Sequence, residues 1–417
     1  MVRLIGPFSQ LVTMRNLSNK GPLHNKDLEI IENGAILAQN DTIHEIGEYT
    51  QLRKNCTSKT KTIEIDQPAV AIPGMIDCHT HLCFGGSRAA DYTMRTEGKS
   101  YEEIAEKGGG IKTSVTSTRA LSEDVLYKES NERLKRIIKE GITTVEIKSG
   151  YGLDVESEIK MLRVIKKLGD SASIDCIPTC LAAHATPEEY TGQSSKYLKY
   201  VANQILPKVI ERKLAKRADI FIEKGAFSVN EGREYLLRAQ KMGFETVIHA
   251  DQFSVGGSRL AVELNCISAD HLEASGEEEI TSLASSDTTA VTLPGASLGL
   301  GLPFAPARRL LDAGCCVAIA SDYNPGSAPM GQLITQSSLI GIYEKLTMAE
   351  VLAGITFRAA RALNLQDRGR LVHGQKCDIT IFPTSDFREI LYHQGSLTPL
   401  FTVKNGRRVS ELSKYGS

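Results

Sequence analysis

No surplus of either charge sign marks this chain of 417 residues: 49 Lys and Arg stand against 50 Asp and Glu. A nucleic-acid or anionic-membrane partner would call for a basic face, and the balance argues against both. Also missing is an apolar run near the ~20 residues that a membrane-crossing helix needs. The opening MVRLIGPFSQLVTMRNLSNKG lacks the charged-then-apolar layout of a secretion signal. No C-x-x-C pair occurs among the nine cysteines, the count is odd, and most lie in apolar runs such as SIDCIPTC and GCCVAIA. That usage predicts reduced, packed thiols in a cytoplasmic protein and excludes a disulfide framework. Cys78, next to a histidine pair, is read as packed as well.

What is present is an alternation. Between about residues 70 and 325, eight β-rich apolar runs recur: VAIPGMID, ITTVEIKSG, IDCIPTCLAAH, DIFIEKG, ETVIHAD, CISADHLE, TAVTLPGA and CVAIASDYN. Runs of this kind suit strands buried on both faces. Helical stretches separate them. LSEDVLYKESNERLKRIIKEG has Ser122 as N-cap and Gly141 as stop; LDVESEIKMLRVIKKLG has Asp154 as cap and Gly169 as stop. Longer loops are expected over 82–120, which contains the glycine-rich KGGGIKTS, and over roughly 185–218. The pattern predicts an α/β fold: a (β/α)8 TIM barrel over residues 70–365. Residues 1–69 and 366–417 hold no strong helix and should form a small β-sandwich domain built from both termini, with Asn405-Gly406 as a hairpin turn.

One short stretch carries the chemistry. In IDCHTHLCFGG, His79 and His81 lie two apart where an apolar strand runs out, and residues i and i+2 of a strand share a face. A barrel places its active site at the C-terminal strand ends. The remaining predicted ends carry Lys148, His184, Glu223, His249, His271 and Asp322. Five of the nine histidines stand at these ends; His24, His44, His373 and His393 fall in the flanks. Such a set converges on a metal site. Three imidazoles and a carboxylate suit Zn2+ or Fe2+, with one position left for water. The residue types alone predict a metal-dependent hydrolase acting on a polar C–N bond.

PGMIDCHTHL resembles the opening H-x-H of the amidohydrolase superfamily, and SDYNPG resembles its closing aspartate. FGGSRAADYTMR, YEEIAEKGGGI, TTVEIKSGYGLD and LAAHATP narrow the likeness to the imidazolonepropionase family, over residues 66–385 or so. The resemblance implies hydrolysis of the ring amide of 4-imidazolone-5-propanoate to N-formimidoyl-L-glutamate, in histidine degradation. It implies one Zn2+ or Fe2+/Fe3+ ion per subunit, held by His79, His81, His249 and Asp322, and a homodimer. Carried over by position, Asp322 also accepts the proton, His271 holds the water and His184 polarises the ring carbonyl. Arg88 and Tyr151 take the propanoate, while Asn324, Gly326 and Ser327 line the far side of the pocket. Gln252 is a departure, because many members have Glu there; an amide can hydrogen-bond the ring but cannot act as a base. Lys148 is read as a buried ion-pair partner of Glu146 and not as a metal ligand. The alternative reading is another cyclic-amide hydrolase or deaminase of the superfamily; a barrel that has lost its metal is disfavoured because every ligand position is filled.

Overall fold

The computed structural model describes residues 1–99, 103–104 and 108–409. The chain opens with β1 (Val2–Val12), β2 (Ile30–Gln39), β3 (Thr42–Glu48), β4 (Lys61–Glu64) and β5 (Val70–Pro73). β1 and β2 pair antiparallel, as do β2 and β3, while β4 and β5 run parallel to β1 on its other edge.

Eight strands follow in one parallel sheet, in strict chain order: β6 (Met75–Asp77), β7 (Ile142–Lys148), β8 (Asp175–Ala183), β9 (Arg217–Ile222), β10 (Glu245–Ala250), β11 (Ser268–His271), β12 (Thr289–Thr292) and β13 (Val317–Ile319). The sheet closes on itself just beyond its first and last strands. Asp322 N–H donates to His79 O at 3.0 Å and His81 N–H donates to Tyr323 O at 2.9 Å. The result is a (β/α)8 barrel, and its seam is made by the candidate metal ligands themselves.

Then β14 (Ile379–Phe382), β15 (Phe401–Lys404) and β16 (Arg407–Arg408) return to the first sheet, β14 pairing with β5. A bridge between Thr42 and Lys376 brings β3 back toward the far end of this sheet. The sheet therefore curls around its own core of Ile5, Phe8, Ile36, Ile379 and Ile381. Asn405 and Gly406 have φ of +51° and +70°, as a two-residue hairpin between β15 and β16 requires. Lys404 Nζ ties this domain to the barrel, 2.8 Å from Asp175 at the start of β8.

Four local expectations differ from the structure. The run VAIPGMID is two strands, with Val70–Pro73 in the terminal sheet and Met75–Asp77 in the barrel. The break falls at Gly74, where any Cβ would collide with the Thr143 side chain of β7. The helix capped by Asp154 continues through Gly169 to Ser171, because the glycine packs closely over Cys176 instead of ending the helix. The stretch over 185–218 is largely helical, with α-helices at Ser194–Tyr200 and Leu206–Glu211. Its buried Tyr197, Val201, Ile205 and Val209 recur every four residues, one face of a helix.

The 82–120 stretch also holds helices, Ala89–Thr96 and Ile111–Ala120. Lys107 of KGGGIKTS lies outside the described residues. The helix capped by Ser122 runs Glu123–Lys139, with Val125 N–H donating to the Ser122 hydroxyl at 3.3 Å. Residues 13–28 leave the terminal sheet and pack on the barrel: Met14, Leu17, Leu23 and Leu28 join its core. Among the described residues, no helix is long and apolar enough to cross a membrane.

Candidate active site

The closure of the barrel brings three imidazoles to one point. His79 Nε2 lies 3.1 Å from His81 Nε2, which lies 3.2 Å from His249 Nε2. Asp322 Oδ1 stands 3.6 Å and 3.5 Å from the Nε2 atoms of His79 and His81. All four side chains are buried. Two of the opposite ring nitrogens are already engaged: His79 Nδ1 meets Asp270 Oδ2 at 2.6 Å and His249 Nδ1 meets Asp219 Oδ2 at 3.1 Å, while His81 Nδ1 is buried without a hydrogen-bond partner. A neutral imidazole that donates from Nδ1 to a carboxylate has a bare lone pair on Nε2. Burial, the largest influence, lowers the pKa of each of these three histidines and so favours the neutral form. The lone pairs of His79 and His249 both face His81 Nε2 across ~3 Å, and a cation among the three nitrogens would be a partner for all of them. The donor set thus fits a metal ion. Burial also lifts the Asp322 carboxyl to about 6, partly opposed by His271 and a hydrogen bond from Asn324.

Above this cluster opens a cavity of about 650 Å3. Every expected site residue except His79 lines it, and His79 lies fully buried against His81 and His249. His271 Nδ1 is 3.5 Å from Glu273 Oε2. Burial is the largest influence and works against the charged form of His271, but Glu273, Asp322 and Asp270 together outweigh it and the net shift is upward. His271 and the next residue have φ of +90° and +74°. That conformation is strained for residues with side chains, and it turns the imidazole inward from the end of β11. His184 Nδ1 is 3.1 Å from Gly150 O, and its pKa is pushed down to about 3, by burial first and by His249 second.

Arg88 reaches the cavity from the loop after β6, its Nε donating to Asp91 Oδ2 at 2.8 Å. The same carboxylate oxygen accepts from Gly110 N–H at 2.9 Å, which ties the glycine-rich segment to the arginine. Gly326 lies flat against the Arg88 guanidinium, where an added Cβ would overlap it. Asn324 Oδ1 accepts from Gly326 N–H and Ser327 N–H at 2.7 and 2.8 Å, fixing this turn. Gly326→Ala should displace Arg88 and raise KM about tenfold while kcat stays within roughly threefold. Steady-state kinetics with a carboxylate-bearing substrate checks this; an unchanged KM would mean that the contact with Arg88 is irrelevant to binding.

Several residues without an assigned role in the sequence reading support this floor. Asp219 and Asp270 hold His249 and His79. Glu223 accepts from Phe253 N–H at 2.8 Å and Ser254 N–H at 3.1 Å, steadying the loop that carries Gln252. The available signal was a charge inside an apolar strand, as in RADIFI and SADH, because such charges are seldom buried without a partner. Lys148 does pair with Glu146, at 2.8 Å. Cys78 packs among Val291, Ala318 and Ala359.

A (β/α)8 barrel with clustered histidines and an aspartate at its strand ends defines the metal-dependent amidohydrolase class. A sequence profile of the Amidohydrolase family matches residues 272–410. The imidazolonepropionase of Clostridium tetani is 38% identical over 407 residues, 97% of each chain. That of Bdellovibrio bacteriovorus is 39% identical over 411 residues, covering 97% of this chain and 96% of the other. The chain belongs to the imidazolonepropionase family and is a hydrolase. Solved structures agree on the fold: a triazine hydrolase variant aligns with a TM-score of 0.74 at 17% identity, over 98% of this chain and 94% of its own. Guanine deaminase from E. coli aligns at 0.71 and 12% identity over 98% of both chains.

Proposed function

We propose that the protein opens the ring of 4-imidazolone-5-propanoate by hydrolysing its internal amide, giving N-formimidoyl-L-glutamate. The observation that carries the reading is the meeting of His79, His81, His249 and Asp322 at the floor of a cavity whose wall holds Arg88. In this reading those four residues hold one Zn2+ or Fe2+ ion. The ion supplies Lewis acidity, which brings the pKa of water to about 7.

The chain's own groups do the rest. Arg88 and Tyr151 bind the propanoate carboxylate, the arginine through a charge-assisted pair. Asp322 accepts the proton of the attacking water, and His271, backed by Glu273, orients that water and donates to the developing oxyanion. We give His184 a role other than the one the resemblance implies. The neutral ring that burial favours keeps its proton on Nδ1, facing Gly150 O, so Nε2 is an acceptor. We therefore give His184 a ring N–H of the substrate and not the carbonyl. Gln252 hydrogen-bonds the ring and takes no part in proton transfer. Asn324, Gly326 and Ser327 close the far wall. The family resemblance supports a homodimer in the cytoplasm as part of the same proposal.

The test is hydrolysis of enzymatically generated 4-imidazolone-5-propanoate, followed by loss of its ultraviolet absorbance. Chelator-stripped protein should lose at least ~100-fold in rate and regain it with one equivalent of Zn2+ or Fe2+. Turnover unaffected by stripping would remove the metal reading. Metal binding without turnover would remove the substrate, and Gln252 would be the first position to exchange.

A further inference from the structure

Directly below the metal cluster, the barrel interior carries a column of charges that the reaction does not use. Glu146 and Lys148 lie two apart on β7, and Arg217 and Asp219 lie two apart on β9, so each pair faces one side of its strand. All four are buried, as is Asp270 of β11. Arg217 Nε is 3.7 Å from Glu146 Oε1, and Glu146 Oε2 is 2.8 Å from Lys148 Nζ. Lys148 Nζ is in turn 2.8 Å from Asp219 Oδ2 and 3.6 Å from Asp270 Oδ2. The same two carboxylates reach the histidines: His249 Nδ1 lies 3.1 Å from Asp219 Oδ2 and hydrogen-bonds Asp219 Oδ1 at 3.2 Å, and Asp270 Oδ2 lies 2.6 Å from His79 Nδ1. One ammonium therefore touches both carboxylates that orient the histidines.

A buried ion network is weak support for stability, because apolar residues of the same volume often do as well. Its geometry suits a different task. An acceptor on Nδ1 fixes the tautomer and the ring orientation in which Nε2 can face a metal. A carboxylate at the end of a rotatable bond needs its own anchor to stay in that place. We propose that Lys148 is a positioning residue for the metal centre. It clamps one oxygen of Asp219 and one of Asp270, so that each accepts the Nδ1 proton of its histidine and both Nε2 lone pairs face a single point.

Lys148→Met and Asp219→Asn test this in the full-length protein. Zn2+ affinity is read by chelator competition, and site geometry by the visible absorption of the Co2+-substituted protein. Each variant should bind Zn2+ about 10- to 100-fold more weakly, with altered Co2+ bands. At saturating metal, KM should stay within about threefold, since the carboxylate pocket is untouched. A purely structural network would lower the melting temperature yet leave Zn2+ affinity within about twofold of wild type, and that result would overturn the inference. Should Lys148→Met not fold, the isosteric Asp219→Asn decides on the same criterion. The inference rests on the metal reading of the cluster. Wild-type protein that binds neither Zn2+ nor Fe2+ would end both, whereas wild-type binding matched by the variants would end only this one.

Discussion

Asp322→Asn is expected to lower kcat by about 10^3-fold or more, within the range lost when a positioned base is removed. Asparagine is the informative replacement. Asp322 has a φ of +50°, a conformation that Asn and Asp tolerate and alanine resists. Its backbone N–H donates to His79 O and helps to close the barrel, so the substitution must not disturb the main chain. The amide keeps the shape and can still offer an oxygen to a metal, but it cannot take a proton. Metal content should therefore remain measurable while turnover collapses, and KM should change little. The check is kcat with metal analysis on the same preparation. A kcat within tenfold of wild type at full metal occupancy would move the proton-accepting role to another residue.

Arg88→Met is expected to lower kcat/KM by about 10^2- to 10^3-fold for the propanoate-bearing substrate, the cost of leaving a carboxylate without its charged partner in a partly buried pocket. Arg88 Nε is committed to Asp91, which leaves the two terminal nitrogens for a substrate carboxylate. Lysine should rescue only part of the loss, since a point charge cannot reproduce the fork. An imidazolone lacking the carboxylate separates the effects: wild type and Arg88→Met should hydrolyse it at similar, low rates. Equal losses on both substrates would show that Arg88 serves the loop around Asp91 and not the substrate.

Much of the active site was legible because barrel folds concentrate function at strand ends. His79, His81, His184, His249 and His271 each follow or end an apolar run, and a periodicity argument can find such positions. The carboxylates beneath them were harder to assign. Asp219 and Asp270 are visible as charges in apolar strands, but their partners lie on other strands. His79, which Asp270 supports, is 191 residues away. Helices at 194–200 and 206–211 were missed although their four-residue spacing was present, because polar residues between the buried positions gave the stretch the look of a loop.

The sequence by itself determined the class of this protein. Alternating strands and helices, an H-x-H pair and a late aspartate are local patterns, and local patterns survive in one dimension. Tertiary structure alone decided where the chain divides at Gly74, that Gly326 must lack a side chain so that Arg88 can lie against it, and that one lysine serves both histidine carboxylates. Each of these depends on atoms from distant strands coming within a few ångströms, and only closure of the barrel sets such distances.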